Sequence, residues 1–284
     1  MNFAATALLH EKPWLGPLYS WAATIQATGL PTATVPWGIK FILHWLAKRL
    51  ATDCRLLVTP SLPIPGGHLF KSDAKAEAGR ATIGGWECRG QIPPILARWF
   101  QIEIFAETTP WVFEKHGDPQ RIIAALELLG SLLCLILFDF KAESPHTGIL
   151  TISGTTDNLG NSFAMQKCMS TKWPLSPLLI ELGEQLRTRQ LELHLEWQRR
   201  DANVEADQLT NEDYSSFSAC NRIAVEFTEV QWLILNEAMV WSKEIYDLAQ
   251  AVKTKRKEGA FTSLSAWKRG KTAAKDRLKT RDPW

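Results

Sequence analysis

The segment Leu128–Phe138 is the strongest apolar run in the chain and constrains the fold more than any other. It spans roughly half of what a bilayer demands of a helix, and Glu127 and Asp139 flank it. That length and those flanking charges predict a buried helix in a soluble protein. Upstream, Asp118-Pro119 pairs a capping residue with a proline suited to a first turn. The helix is therefore expected from about Pro119 to Leu137. Glu127 then sits in an otherwise apolar helix face, where a carboxylate is costly unless something compensates it.

Strand signals alternate with helix signals around this helix. His68–Asp73 and Arg80–Arg89 read as two strands joined by a turn at Glu77–Gly79, and Ile92–Phe105 holds a third. Gly148–Thr156 is a fourth. Leu191–Gln198 alternates Leu191, Leu193, Leu195, Trp197 as a fifth. Helices are expected at Asn161–Met169, at Ser176–Arg189 and from about Glu205, with a long amphipathic segment over Arg222–Val252. Before the strands, Ile39, Ile42, Trp45 and Leu46 recur at helical spacing, and Pro60-Ser-Leu-Pro-Ile-Pro-Gly-Gly67 breaks the pattern as a linker. The expected divisions are a helical lead-in (1–62), a central domain (63–218), a helical extension (219–252) and a basic tail (253–284).

A chain of 284 residues with 45% hydrophobic and 22% charged residues is globular rather than disordered. The net charge of +2 excludes a polycation as a whole. From Lys253 to Arg281, however, eleven Lys or Arg stand against Glu258 and Asp276. Such a run is a solvated tail with non-specific attraction for phosphate backbones. The five cysteines (Cys54, Cys88, Cys134, Cys168, Cys220) form no CxxC pair, and the histidines form no HxxxH or HExxH. A zinc site and a disulfide framework are therefore not expected. No basic start followed by an apolar core opens the chain, so an intracellular protein (cytoplasmic or nuclear, not secreted) is expected.

Four acids stand out against this background: Asp73 beside the hairpin, Glu127 on the apolar helix, Asp157 at the end of the fourth strand and Asp207 at the start of a helix. Each has an ordinary explanation alone, as a turn, solvated or helix-start residue. Together, on separate elements, they form a set that would repel itself without cations. Hard divalent ions take oxygen ligands, and two of them can flank the reacting phosphorus of an in-line phosphodiester hydrolysis.

Several sequence blocks carry a resemblance. They are Ser72-Asp73-Ala74 with Gly84-Gly85-Trp86, Ala125-Leu-Glu127-Leu-Leu, and Thr156-Asp157-Asn158 with Gly160-Asn161. Lys167 with Ser170-Thr-Lys172-Trp-Pro174-Leu follows, then Glu181-Leu182, then Arg200-Asp-Ala-Asn203-Val-Glu-Ala-Asp207-Gln-Leu-Thr-Asn211. In this order the region from Leu69 to Phe217 resembles the ribonuclease H-like domain of retroelement reverse transcriptases, especially those of DIRS-like (Ngaro-type) elements. The resemblance implies an α/β fold, a ribonuclease H-like five-stranded mixed sheet flanked by helices, here with a helical N-terminal lead-in and a helical C-terminal extension. It implies cleavage of the RNA strand of an RNA–DNA hybrid with Mg²⁺, or Mn²⁺, held by Asp73, Glu127, Asp157 and Asp207. A hybrid is read through backbone, groove shape and 2′-hydroxyls. The expected contacts are Asn158, Asn161, Lys167, Thr171 and Lys172 beyond Asp157, with Arg199 and Arg200 before Asp207. Trp86 and Trp173 are the tryptophans near enough to the motifs to stack.

The chain departs from the pattern in two ways. No histidine lies between Trp197 and Asp207, where cellular members carry one, and no adjacent Asp-Asp pair of a polymerase occurs. The expected context is a C-terminal piece of a retroelement polyprotein, partnered by nucleic acid and by the polymerase part, with no membrane. Two other readings compete. One is a catalytically inactive domain of this fold that binds nucleic acid or a protein partner. The other is an integrase or transposase-type strand transferase, whose last glutamate would be Glu192, 35 residues after Asp157. Such a glutamate belongs on a helix, whereas Glu192 falls in the alternating strand.

Overall fold

The computed structural model describes residues 9–28, 32–52, 67–77, 79–114, 118–141 and 149–257. Five strands, β1 (Phe70–Glu77), β2 (Arg80–Glu87), β3 (Trp99–Phe105), β4 (Leu150–Thr156) and β5 (Leu191–Trp197), form one sheet in the order β3-β2-β1-β4-β5. The first three are antiparallel neighbours, while β4 runs parallel to both β1 and β5. Chain connectivity accounts for this mixture. Only a short turn containing Gly79, at φ +78°, separates β1 from β2, and a short turn can only reverse a chain. Long helical crossovers precede β4 and β5, as parallel neighbours require.

Helices cover both faces of the sheet, and adjacent glycines of β2 show how. Successive strand residues point to opposite faces. A Cβ on Gly84 would lie 2.6 Å from the Leu209 Cβ, on α7 (Val204–Thr210). A Cβ on Gly85 would lie 2.7 Å from the Cys134 Sγ, on α4 (Ile123–Leu137). The two helices therefore lie on opposite faces, and each approaches as closely as it does because glycine is there. The α4 face holds the main core, with Leu126, Leu128, Leu129, Leu132 and Leu133 all fully buried, and the short helix α3 (Pro110–Phe113) adds Val112 to it. Among the described residues, Pro119–Leu137 is the one stretch long and apolar enough to cross a membrane (mean hydropathy 1.9). Here it is the central core helix.

A second core lies beyond the sheet. Helices α1 (Lys12–Thr28), α2 (Trp37–Thr52), α6 (Leu175–Arg189) and α8 (Leu235–Lys257) share a cluster built on Trp14, Ile39, Ile42, Ile180 and Trp241. The Trp14 and Trp45 rings stack at 3.9 Å. Polar groups tie this cluster to α6. Glu184 accepts from Trp14 Nε1 (3.2 Å) and Arg49 Nη2 (2.8 Å). Glu181, fully buried, accepts from the backbone N–H groups of Leu233, Ile234 and Leu235 at 3.0, 2.8 and 2.8 Å. Those are donors that a helix start leaves without intrahelical partners. The lead-in and the C-terminal helix thus meet on α6.

Boundaries differ from expectation where proline or tertiary contact intervenes. The third strand begins at Trp99 rather than Ile92, because Pro93-Pro94 lead into a tight turn, Pro94–Leu96. The C-terminal segment becomes helical at Leu235 rather than Arg222. Before that point it runs along the sheet, where Ile223 N donates to Trp99 O at 2.8 Å. Helix α8 continues to Lys257, across the division expected after residue 252. The linker over 60–66, Cys54 and the tail from 258 onward lie outside the described residues.

Candidate functional site

Asp73 lies in the middle of β1, opposite Gly84 of β2. Asp157 is the first residue past β4, and Glu127 sits in the second turn of α4. The fold brings these three carboxylates together. One oxygen from each lies within 4.8 Å of the others. The group is buried, with Asp73 at 5% and Glu127 at 3% relative exposure and the Asp157 side chain at 8%. Among the described residues no hydrogen-bond donor reaches the buried Glu127 Oε2.

Burial and crowding disfavour ionisation here. Burial pushes the Asp73 carboxyl up to about 6 against the pull of the Thr210 hydroxyl, with Asp157 and Asp207 adding repulsion. Glu127 is pushed up to about 10, first by burial and then by the charges of Asp73 and Asp157. As a protein-only arrangement the cluster therefore holds a proton on Glu127 at neutral pH, while Asp73 gives up its own at about pH 6. A hard divalent cation would reverse that preference, since it seeks ionised oxygen ligands of this kind.

The surrounding residues support the three acids unequally. Thr210, on α7, donates its hydroxyl to Asp73 Oδ2 at 2.9 Å. Asn203, just before α7, donates from Nδ2 to Ser72 O at 3.1 Å, which ties α7 to β1 beside Asp73. Arg200 Nε donates to Asp157 Oδ2 at 3.2 Å, and Trp197 Nε1 donates to the Asp157 carbonyl at 3.0 Å. Asp207 stands apart from the convergent three. It is partly exposed, and its Oδ2 accepts from Asn211 Nδ2 at 3.0 Å. Its charge is nonetheless felt at Asp73, so it lies at the edge of the group.

The other expected contact residues divide into two sets. Asn158 caps α5 (Leu159–Lys167), its side chain accepting from Asn161 N, directly after Asp157. Asn161 is fully buried, and neither polar atom of its side chain has a partner among the described residues. Arg199 and Arg200 are exposed, and Arg200 is the one paired with Asp157. Lys167 is exposed at the far end of α5, and Thr171 and Lys172 line a separate concavity against α1 and α8. The tryptophan expectation needs correction. Trp86 and Trp173 are both 5% exposed, whereas Trp197, at 48%, is the open ring at the site. As the last member of an apolar alternation it reads as core, but β5 outruns the core at that point. Thr210 and Asn203 also had no expected role, although both lie in the block around Asp207.

Glu192 is not part of the group. It sits on β5, accepts from the Thr151 hydroxyl at 3.4 Å and lines a small cavity with His10 and Cys168. Comparison of the chain with protein-family models, with curated proteins and with solved structures gave no match.

Proposed function

We propose that this chain is a metal-dependent endonuclease that cleaves the RNA strand of RNA–DNA hybrids, as the ribonuclease H-like part of a retroelement reverse transcriptase acting inside the cell. The observation that carries this reading is the convergence of Asp73, Glu127 and Asp157 within 4.8 Å, with a buried Glu127 oxygen that no donor among the described residues reaches. A buried acidic oxygen without a hydrogen-bond partner is unfavourable for a protein alone. It suits Mg²⁺ or Mn²⁺, and Asp207 at the rim adds a fourth carboxylate. Bound there, such ions supply an activated water and neutralise the phosphate charge.

The chain's own residues have separable tasks in this account. Thr210 and Asn203 hold the β1 side of the site against α7. Trp197 fixes the backbone at Asp157 while leaving part of its ring open to a sugar or base. Arg199 and Arg200 offer cations to phosphates at the mouth. Asn158, at the start of α5, faces the same end of the sheet.

A catalytically inactive, nucleic-acid-binding domain is the second reading. Its support is the Arg200–Asp157 ion pair, which already satisfies one of the three acids, together with the loop from Trp197 to Asp207 that lacks a histidine. A gel assay of hybrid cleavage with Mg²⁺ separates the two. The nuclease reading expects the wild type to cut and Asp157→Asn to lose at least about a hundredfold, as loss of a metal ligand should. Equal activity of the two proteins rejects it. An integrase-type reading has less to stand on, because Glu192 lies outside the acidic group.

A further inference from the structure

Thr171 and Lys172 belong to no part of the acid site, yet they line the larger of the two concavities described. It has a volume of about 680 Å³ and opens between α1, the turn at 171–173 and the C-terminal half of α8. Its lining includes two lysines, Lys172 and Lys253, two tyrosines, Tyr19 and Tyr246, and Thr171. None of the described residues lining it is acidic. Both lysines are exposed. Beyond the groove α8 runs on through Lys255-Arg256-Lys257, so the basic character extends past its rim.

We propose that this groove binds single-stranded nucleic acid, separately from the acid site. Cations spaced among aromatic rings match a ligand that presents phosphates and open base faces together. A duplex presents its phosphates but keeps its bases stacked inside, so the rings would have nothing to meet. Lys172 and Tyr246, from elements far apart in sequence, line the same concavity and bring both parts of that recognition to it. The proposal does not depend on metal or on cleavage.

The test is fluorescence anisotropy of a labelled single-stranded oligouridylate with the full chain in EDTA, which keeps the acid site out of the measurement. Lys172→Glu and Lys253→Glu should each weaken binding severalfold. Each should also flatten the dependence of log affinity on log salt by about 0.7 for the lost phosphate contact. Tyr246→Ala should weaken binding roughly tenfold through lost stacking. Lys40→Glu, the same charge change on an exposed lysine of α2 outside the groove, should change neither quantity. The proposal is overturned if the two groove variants behave as Lys40→Glu does. It is also overturned if an acidic peptide, rather than the oligouridylate, is the ligand whose binding the groove variants weaken. Both lysines are surface residues, and a thermal melt matching the wild type verifies that each variant is folded.

Discussion

Arg200 places its guanidinium on the Asp157 carboxylate, Nε to Oδ2 at 3.2 Å, although 77% of the arginine side chain is exposed. The carboxylate is buried and its partner is not, so the arginine can leave without disturbing the fold. Arg200 thus stands where a bound cation would compete with it. Arg200→Gln should raise the affinity for Mn²⁺, measured by calorimetry, by up to about fivefold, the upper range for an exposed ion pair. Weaker Mn²⁺ binding in the variant would mean that the arginine assists the site rather than occupying it.

The pH dependence of stability follows from the raised carboxyls. A group whose pKa is higher in the folded state contributes stability that is fully present below its unfolded value and is lost as pH rises through the folded value. For Asp73 that loss runs to about pH 6, and for Glu127 it continues to about pH 10. Thermal melts in EDTA should therefore show stability falling with rising pH over the Glu127 window. Glu127→Gln should flatten the fall above about pH 6 while leaving the Asp73 part. An identical slope in wild type and variant would show that Glu127 ionises freely.

Glu181 gathers three backbone N–H groups ahead of α8. Removing the acceptor leaves the Leu235 donor unsatisfied in the core and those of Leu233 and Ile234 at its edge, a buried donor costing about 1–3 kcal/mol. Glu181→Ala should therefore destabilise the protein by roughly 3 kcal/mol or more in denaturant titration. Hydrogen exchange should also speed up along α8 before it does in the sheet. A loss below about 0.5 kcal/mol, the range of ordinary surface substitutions, would contradict this role.

Much of the framework was legible in the sequence because it rests on local periodicity. The order of five strands, the apolar helix and the later helices follows from runs of period two and period 3.6. Periodicity does not say where a pattern leaves the core. Trp197 continues the apolar alternation of β5 yet is half exposed, and Ile92 and Ile95 look like strand but precede it. For the acids, the cost of a carboxylate at Glu127 in an apolar helix was the readable signal. The partners Thr210 and Asn203 were not readable, because a hydroxyl or amide on a short helix has many ordinary uses. Lys172 misled for a related reason: nearness in sequence to Asp157 is not nearness in space once α5 intervenes.

The central claim rests most directly on strand-specific cleavage. An RNA–DNA hybrid labelled differently on its two strands, incubated with the full chain and Mg²⁺, should show the RNA strand shortened and the DNA strand intact. Cleavage should disappear in EDTA and in Asp157→Asn and Glu127→Gln proteins that melt like the wild type. Intact RNA with wild-type protein, or cutting that persists in the Asp157→Asn protein, would contradict the assignment of these carboxylates to a nuclease centre.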